Sequence, residues 1–292
     1  MFTSKNFMCF IVAAALAATA CIVLLQSPSS SCLLELGSRN NGTRQTDPSI
    51  QAAAVTASTP EDVELAMLLR SAAMEDNTVI MTLTNKAWTA PSSVLDLFLK
   101  SFRIGDKTEH LVKHLIIQCK LVHPLCYSLD VGGGMDLTRE QAFMSKDYLE
   151  MMWARNKFQT RVLELGYSFI FTVNPYATAN GRFVYARQNA RTIGFFKGWY
   201  ESRTGRLNEQ DVFNKLGREL SLHHDVTVNF IDTAYCGGFC QPKKDFRRLC
   251  TFHGNCLKGL RLKLGRLRGI LNEWKQFKNS RQLAENNITL SH

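Results

Sequence analysis

The sequence predicts an α/β fold built on a mainly parallel sheet. Two observations carry this. Short β-branched and aromatic runs alternate along the chain with amphipathic segments of helical period, the pattern of strands joined by helical crossovers. The 232 residues that follow residue 60 have the size of one domain. In such sheets ligands bind beyond the carboxyl ends of the strands, so the residues just after each strand are the places to look.

The elements follow in order. Glu61 to Met74 is amphipathic, started by Pro60. Thr78 to Thr84 is a β-branched run suited to a buried strand. Pro91 to Phe102 reads as a helix closed by Gly105, and Leu115 to Cys119 as a second strand. Met144 to Leu165 is a long helix with Gly166 as its terminating residue. Tyr167 to Thr172 and Phe183 to Ala186 are strands, Arg191 to Arg203 and Asn208 to Leu220 helices, and Val226 to Asp232 a further strand. A last helix, Leu257 to Phe277, carries an apolar stripe through Leu260, Leu264, Leu267, Leu271 and Trp274. Lys258, Arg261, Lys263, Arg266 and Arg268 lie around it, and Gly265 and Gly269 weaken its continuity.

The N-terminus speaks to compartment. Phe7 to Leu25 is a run of 19 residues in which only Thr19 is polar. As a helix it spans roughly 28 Å, close to the hydrocarbon thickness of a bilayer, and Lys5 favours a cytosolic amino terminus. The run is longer than the apolar part of a cleaved signal peptide. Residues 1–26 therefore read as a cytosolic tip and signal-anchor helix and 27–60 as a flexible lumenal stem. Residues 61–280 read as the folded domain and 281–292 as a tail. Asn41 and Asn287 each begin a glycosylation sequon, in keeping with a lumenal domain.

The formal charge is +10 at 45% apolar composition, which excludes a disordered chain and favours anionic partners. Seven of the nine cysteines lie outside the apolar run, namely Cys32, Cys119, Cys126, Cys236, Cys240, Cys250 and Cys256. With His253, the last four form a cluster that reads as disulfides in an oxidising lumen and as a zinc site in the cytosol. Val131 to Asp136 is glycine-rich but matches neither standard phosphate-loop pattern. Asp211 in Glu209-Gln-Asp211 opens a helix, where a carboxylate suits the helix dipole or serves chemistry.

Several blocks together resemble the plant nucleotide-diphospho-sugar transferase family. They are Phe143-Met-Ser-Lys-Asp-Tyr-Leu-Glu-Met-Met-Trp153, Leu165-Gly-Tyr-Ser-Phe-Ile-Phe-Thr172, Asn208-Glu-Gln-Asp-Val-Phe213, Asp232-Thr-Ala-Tyr-Cys-Gly-Gly-Phe-Cys240 and Cys250-Thr-Phe-His-Gly-Asn-Cys256. The group is similar to cell-wall xylosyl- and arabinosyltransferases. The resemblance implies a GT-A-type, Rossmann-like fold and a single-pass type II Golgi membrane protein with a lumenal domain. It implies a nucleotide-sugar donor and a polysaccharide or glycoprotein acceptor, with no role for nucleic acid. It also implies a divalent cation, usually manganese, held by an Asp-x-Asp motif. By position, Thr84 and Asn85 would face the nucleotide and Lys258 the diphosphate. His253 would join the metal, and Asp211 would stand near the reacting sugar or acceptor.

The chain departs from that family at one place. Relatives follow Phe-Thr with Asp-x-Asp, whereas Phe171-Thr172 here runs into Val173-Asn-Pro-Tyr176. The simplest account is an internal deletion between Thr172 and Val173; Arg182 also replaces a glycine that relatives tend to have. Two carboxylates and a metal offset diphosphate charge and stabilise the leaving group, so their loss predicts an impaired enzyme. The alternative is a non-catalytic Golgi partner of a complete homologous glycosyltransferase.

Overall fold

The computed structural model describes residues 21–23, 59–84, 88–118, 126–127, 141–142, 144–172, 183–232, 234–240, 244–254, 256–257 and 259–289. The elements in chain order are β1 (Cys21–Val23), α1 (Pro60–Ala72), β2 (Thr78–Leu83), α2 (Val94–Ile104), a 3₁₀ turn (Glu109–His114), β3 (Leu115–Gln118) and β4 (Cys126–Tyr127). Then come α3 (Lys146–Glu164), β5 (Ser168–Thr172), β6 (Phe183–Ala186), α4 (Ala190–Glu201), α5 (Glu209–His223), β7 (Cys236–Gly238), β8 (Thr251–His253) and α6 (Leu260–Thr289).

Helix starts are set by local chemistry. Thr59, Ser145, Asn189 and Asn208 each accept a hydrogen bond from a backbone N–H three residues on, at the starts of α1, α3, α4 and α5. Such caps satisfy amides that have no helical partner. Helix α3 ends as its sequence predicts. The Tyr167 N–H donates to the Val162 carbonyl at 3.2 Å and the Gly166 N–H to that of Leu163 at 3.1 Å. This paired closure needs a left-handed residue, and Gly166 supplies it at φ +95°. Gly166→Ala is expected to cost about 1 kcal/mol through backbone strain alone, since an added Cβ meets nothing within 4 Å; urea denaturation checks it.

Five strands form the main sheet in the order β4-β3-β2-β5-β6, parallel except for β6. Met81 at the centre pairs with Ile116 on one side and Phe171 on the other. The alternation of the strands divides the core. Val79, Met81, Ile116, Phe169 and Phe171 join α1, α3, α4 and α6 in the larger cluster. Ile80, Leu115, Ile117 and Ile170 join Leu95, Phe98 and Phe102 of α2 in the smaller one. A second sheet of order β1-β8-β7 sends Phe252 into the larger cluster, which also holds Trp88, Leu267 and Trp274.

Three expectations change. Val226 to Asp232 is not a strand: Val226 and Val228 do pack on the core, but the segment joins neither sheet. Alternating burial alone does not make a strand; it needs a neighbouring strand to form a ladder. Helix α6 runs unbroken through Gly265 and Gly269 and past residue 280 to Thr289, since the burial of its stripe outweighs two glycines. It also places the Asn287 sequon on a helix. Of the apolar run 7–25, Cys21–Val23 are extended and pair antiparallel with β8; the rest of the run, with the stem and Asn41, lies outside the described residues. Among the described residues no helix is long and apolar enough to cross a membrane.

Candidate functional site

Two groups of side chains gather toward the carboxyl ends of the parallel strands. The first surrounds the end of β2. Thr84 follows the strand and is 6% exposed, and Trp88 is fully buried. Above the Trp88 ring, 5.6 Å from its centroid, stands the ammonium group of Lys263. Lys263 is 1% exposed, so it belongs to the apolar stripe of α6 and not to the basic face that its sequence neighbours suggest. The signal was legible. Lys263 precedes Leu267 by four residues and Ile270 by seven, the spacing of one helix face. His253 lies on β8 and is 4% exposed. Asn85, Lys258 and the glycine-rich segment 131–134 lie outside the described residues.

The second group sits between α3, α5 and the end of β5. Asn208 caps α5 by accepting from the Asp211 N–H at 2.8 Å. This fixes the Asp211 backbone in the first turn, with its side chain part-exposed. One residue after the cap, Glu209 is 2% exposed and forms an ion pair with Arg155 of α3, itself 4% exposed. The Arg155 guanidinium lies 5.1 Å from the ring centroid of Phe171 on β5. The Trp199 indole N–H donates to the Glu209 carbonyl at 2.7 Å and that of Trp153 to Leu207 at 3.1 Å, tying this turn to α4 and α3. Glu209 and Arg155 fall inside blocks already visible in the sequence, but nothing local marks them as partners 54 residues apart.

Burial pushes the Asp211 carboxyl above the usual aspartate range, opposed by its hydrogen bond with the Asn208 backbone. Burial also pushes Glu209 up, and the Arg155 charge pulls it back. A raised, part-exposed carboxylate at a helix start has the character of a general base or an acceptor-orienting group. The raised value fixes a pH dependence. Folded Asp211 keeps its proton to higher pH than the unfolded chain does, so its contribution to stability falls as pH rises from the ordinary aspartate value through the raised one. Asp211→Asn removes this step. Urea midpoints across that range should therefore move in the variant's favour as pH increases.

Metal ligation is another matter. Among the described residues no group of three or more His, Cys, Asp or Glu side chains could hold a metal ion. A hard divalent cation prefers several oxygens, and the described residues around His253 do not supply them. In the same region Cys240 and Cys256 form a disulfide that closes 16 residues of chain across β8, and Cys250 is disulfide-bonded as well. Cys240→Ser with Cys256→Ser is expected to cost about 2–4 kcal/mol. Thermal melts of the double variant beside the oxidised chain measure it.

Comparison with known proteins agrees with this architecture. The family model described as nucleotide-diphospho-sugar transferase matches residues 113–174 and 172–267, two segments that meet just after β5. Two uncharacterized proteins of Arabidopsis thaliana are similar. At4g15970 is 35% identical over 265 residues, covering 78% of this chain and 72% of its own. At1g28695 is 33% identical over 273 residues, covering 76% of this chain and 80% of its own. Each aligned length exceeds the stated share of a 292-residue chain, so each relative carries residues inside the aligned region that this chain lacks. No solved structure matches. With a family model spanning more than half its length and two relatives above 30% identity, the chain belongs to the nucleotide-diphospho-sugar transferase family.

Proposed function

We propose that this protein descends from glycosyltransferases of the GT-A type. These move a sugar from a nucleotide-sugar to a polysaccharide or glycoprotein acceptor, and loss of the acidic motif leaves this chain a poor catalyst. The observation that carries the reading is the split of the family match at 172–174, the place where the resemblance leads one to expect Asp-x-Asp and the sequence has none. The retained parts support the donor half of the function: Thr84 and Trp88 after β2, buried Lys263, and Asp211 on its capped helix. In this reading Asn85 and Lys258 face the nucleotide and diphosphate, and Asp211 orients the acceptor. The apolar run 7–25 and the sequons at Asn41 and Asn287 support a type II Golgi protein with a lumenal domain.

A second reading has its own observation in its favour. A manganese ion would have His253 and no adjoining carboxylate cluster among the described residues, which suits a non-catalytic partner of a complete homologous transferase. Calorimetric titration of the full chain with UDP, with and without manganese, separates the two. Tight binding that requires manganese would mean that other carboxylates rebuild a metal site, and the loss of catalysis would be withdrawn. Weak binding that manganese leaves unchanged supports an impaired donor site. Absence of UDP binding in a folded chain favours the partner role, which co-purification from Golgi membranes then tests.

A further inference from the structure

Among the described residues, nothing covers the outer face of α6. Leu267, Ile270, Leu271 and Trp274 turn inward and are buried. Arg261, Leu262, Gly265, Arg266 and Asn272 turn outward and are exposed. A Cβ added at Gly265 or Gly269 would meet nothing within 4 Å. Arg261, Leu262, Gly265 and Arg266 line a groove of about 400 Å³ on this face. Leu262 is 50% exposed beside it. Lys278 and Arg281, further along the helix, face Asp106. Arg261 and Arg266 enter no ion pair among the described residues. The groove is therefore apolar along its floor and positive at its rims.

Helix α1 carries the complementary pattern. It buries Leu65, Leu69 and Ala72, yet Val63 and Met67, one turn apart, are 46% and 63% exposed. An apolar pair left outside on a helix with a buried stripe of its own suits a contact surface. Glu61 and Glu64 stand exposed at the N-terminal end of this pair and Arg70 at the C-terminal end. On α6 the arginines come first, and Glu273, which also holds Lys244, comes later. At about 1.5 Å per residue, Glu64 to Arg70 spans about 9 Å and Arg266 to Glu273 about 10 Å. Laid parallel, the two helices set Glu64 against Arg261 and Arg266, and Arg70 against Glu273. Laid antiparallel, they set Arg70 against the arginines. An anionic polymer would satisfy the arginines and leave Leu262 without an apolar partner; α1 satisfies both. We propose that α1 of one copy of this chain docks parallel in the α6 groove of a second copy. One helix pair is smaller than a standard interface, so the contact is made twice about a two-fold axis, each copy giving α1 and receiving on α6. The pairing is independent of the donor and partner readings above.

Sedimentation equilibrium of the full chain in detergent micelles tests this, and the wild-type chain should be a dimer. Glu64→Arg or Arg266→Glu alone sets like charges together and should weaken association by roughly tenfold or more. The two changes in one chain restore opposite charges across the contact and should recover most of the affinity. Gly265→Leu fills the groove without weakening α6, since glycine is the poorer helix former, and should abolish the dimer. A monomeric wild-type chain overturns the proposal. So does a dimer that all three variants leave unchanged, which the apolar run 7–25 would then hold together. Single reversals that weaken the dimer with no recovery in the double variant overturn the α1–α6 pairing. Assemblies that grow past the dimer with concentration overturn the two-fold arrangement.

Discussion

Arg155→Met is expected to lower the unfolding free energy by about 3–5 kcal/mol, because it leaves the Glu209 carboxylate buried without its counter-charge. Glu209 is 2% exposed, so water cannot take over. The Phe171 ring would also lose the guanidinium that lies over it. The informative comparison is with the double variant Arg155→Met, Glu209→Met. Removing both charges removes the desolvation cost together with the attraction, so its loss should be well below that of the single change. Urea denaturation of wild type, both single variants and the double variant gives the coupling directly. A double variant no more stable than Arg155→Met would mean that the pair is not a unit.

Trp274→Ala is expected to cost about 3–5 kcal/mol as well, by a different route. Trp274 is fully buried, its rings packed against Phe246 at 5.8 Å and Phe277 at 5.7 Å between centroids. Its indole N–H donates to the Ile104 carbonyl at the end of α2, at 3.1 Å. One residue thus joins the C-terminal helix to the first crossover helix, 170 positions away. Truncation leaves a cavity in the cluster that also holds Trp88 and Phe252, so the environment at the end of β2 should loosen with it. The indole fluorescence of Trp88 in the variant, read alongside a melting curve, checks both effects. Conversion to Phe should recover much of the packing and none of the hydrogen bond.

The order of strands and helices could be read from the chain because each signal was local. Thr78 to Thr84 is β-branched and buried on both faces, and the strand forms there with every residue buried. Gly166 follows a long amphipathic helix and ends it in the left-handed conformation that its position demands. The helix expected from Asn208 forms, with Asn208 itself as its cap. The absence of an aspartate pair after Thr172 was likewise a plain fact of the sequence, and the family match divides at that point.

What only the tertiary structure decided depends on residues far apart. Strands β7 and β8 are three residues each, too short for a periodic signal, and form because they pair with each other. Val226 to Asp232 carries a strand's alternation but joins neither sheet. Lys263 reads as a surface cation until the end of β2 places Trp88 beneath it. Arg155 and Glu209 are ordinary charged helix residues until α3 and α5 bring them together in a buried pair. Local sequence determines backbone preference and amphipathic face, since both arise within a few residues. The pairing of edges and charges depends on which surfaces remain when the sheet closes, and that is a property of the whole fold.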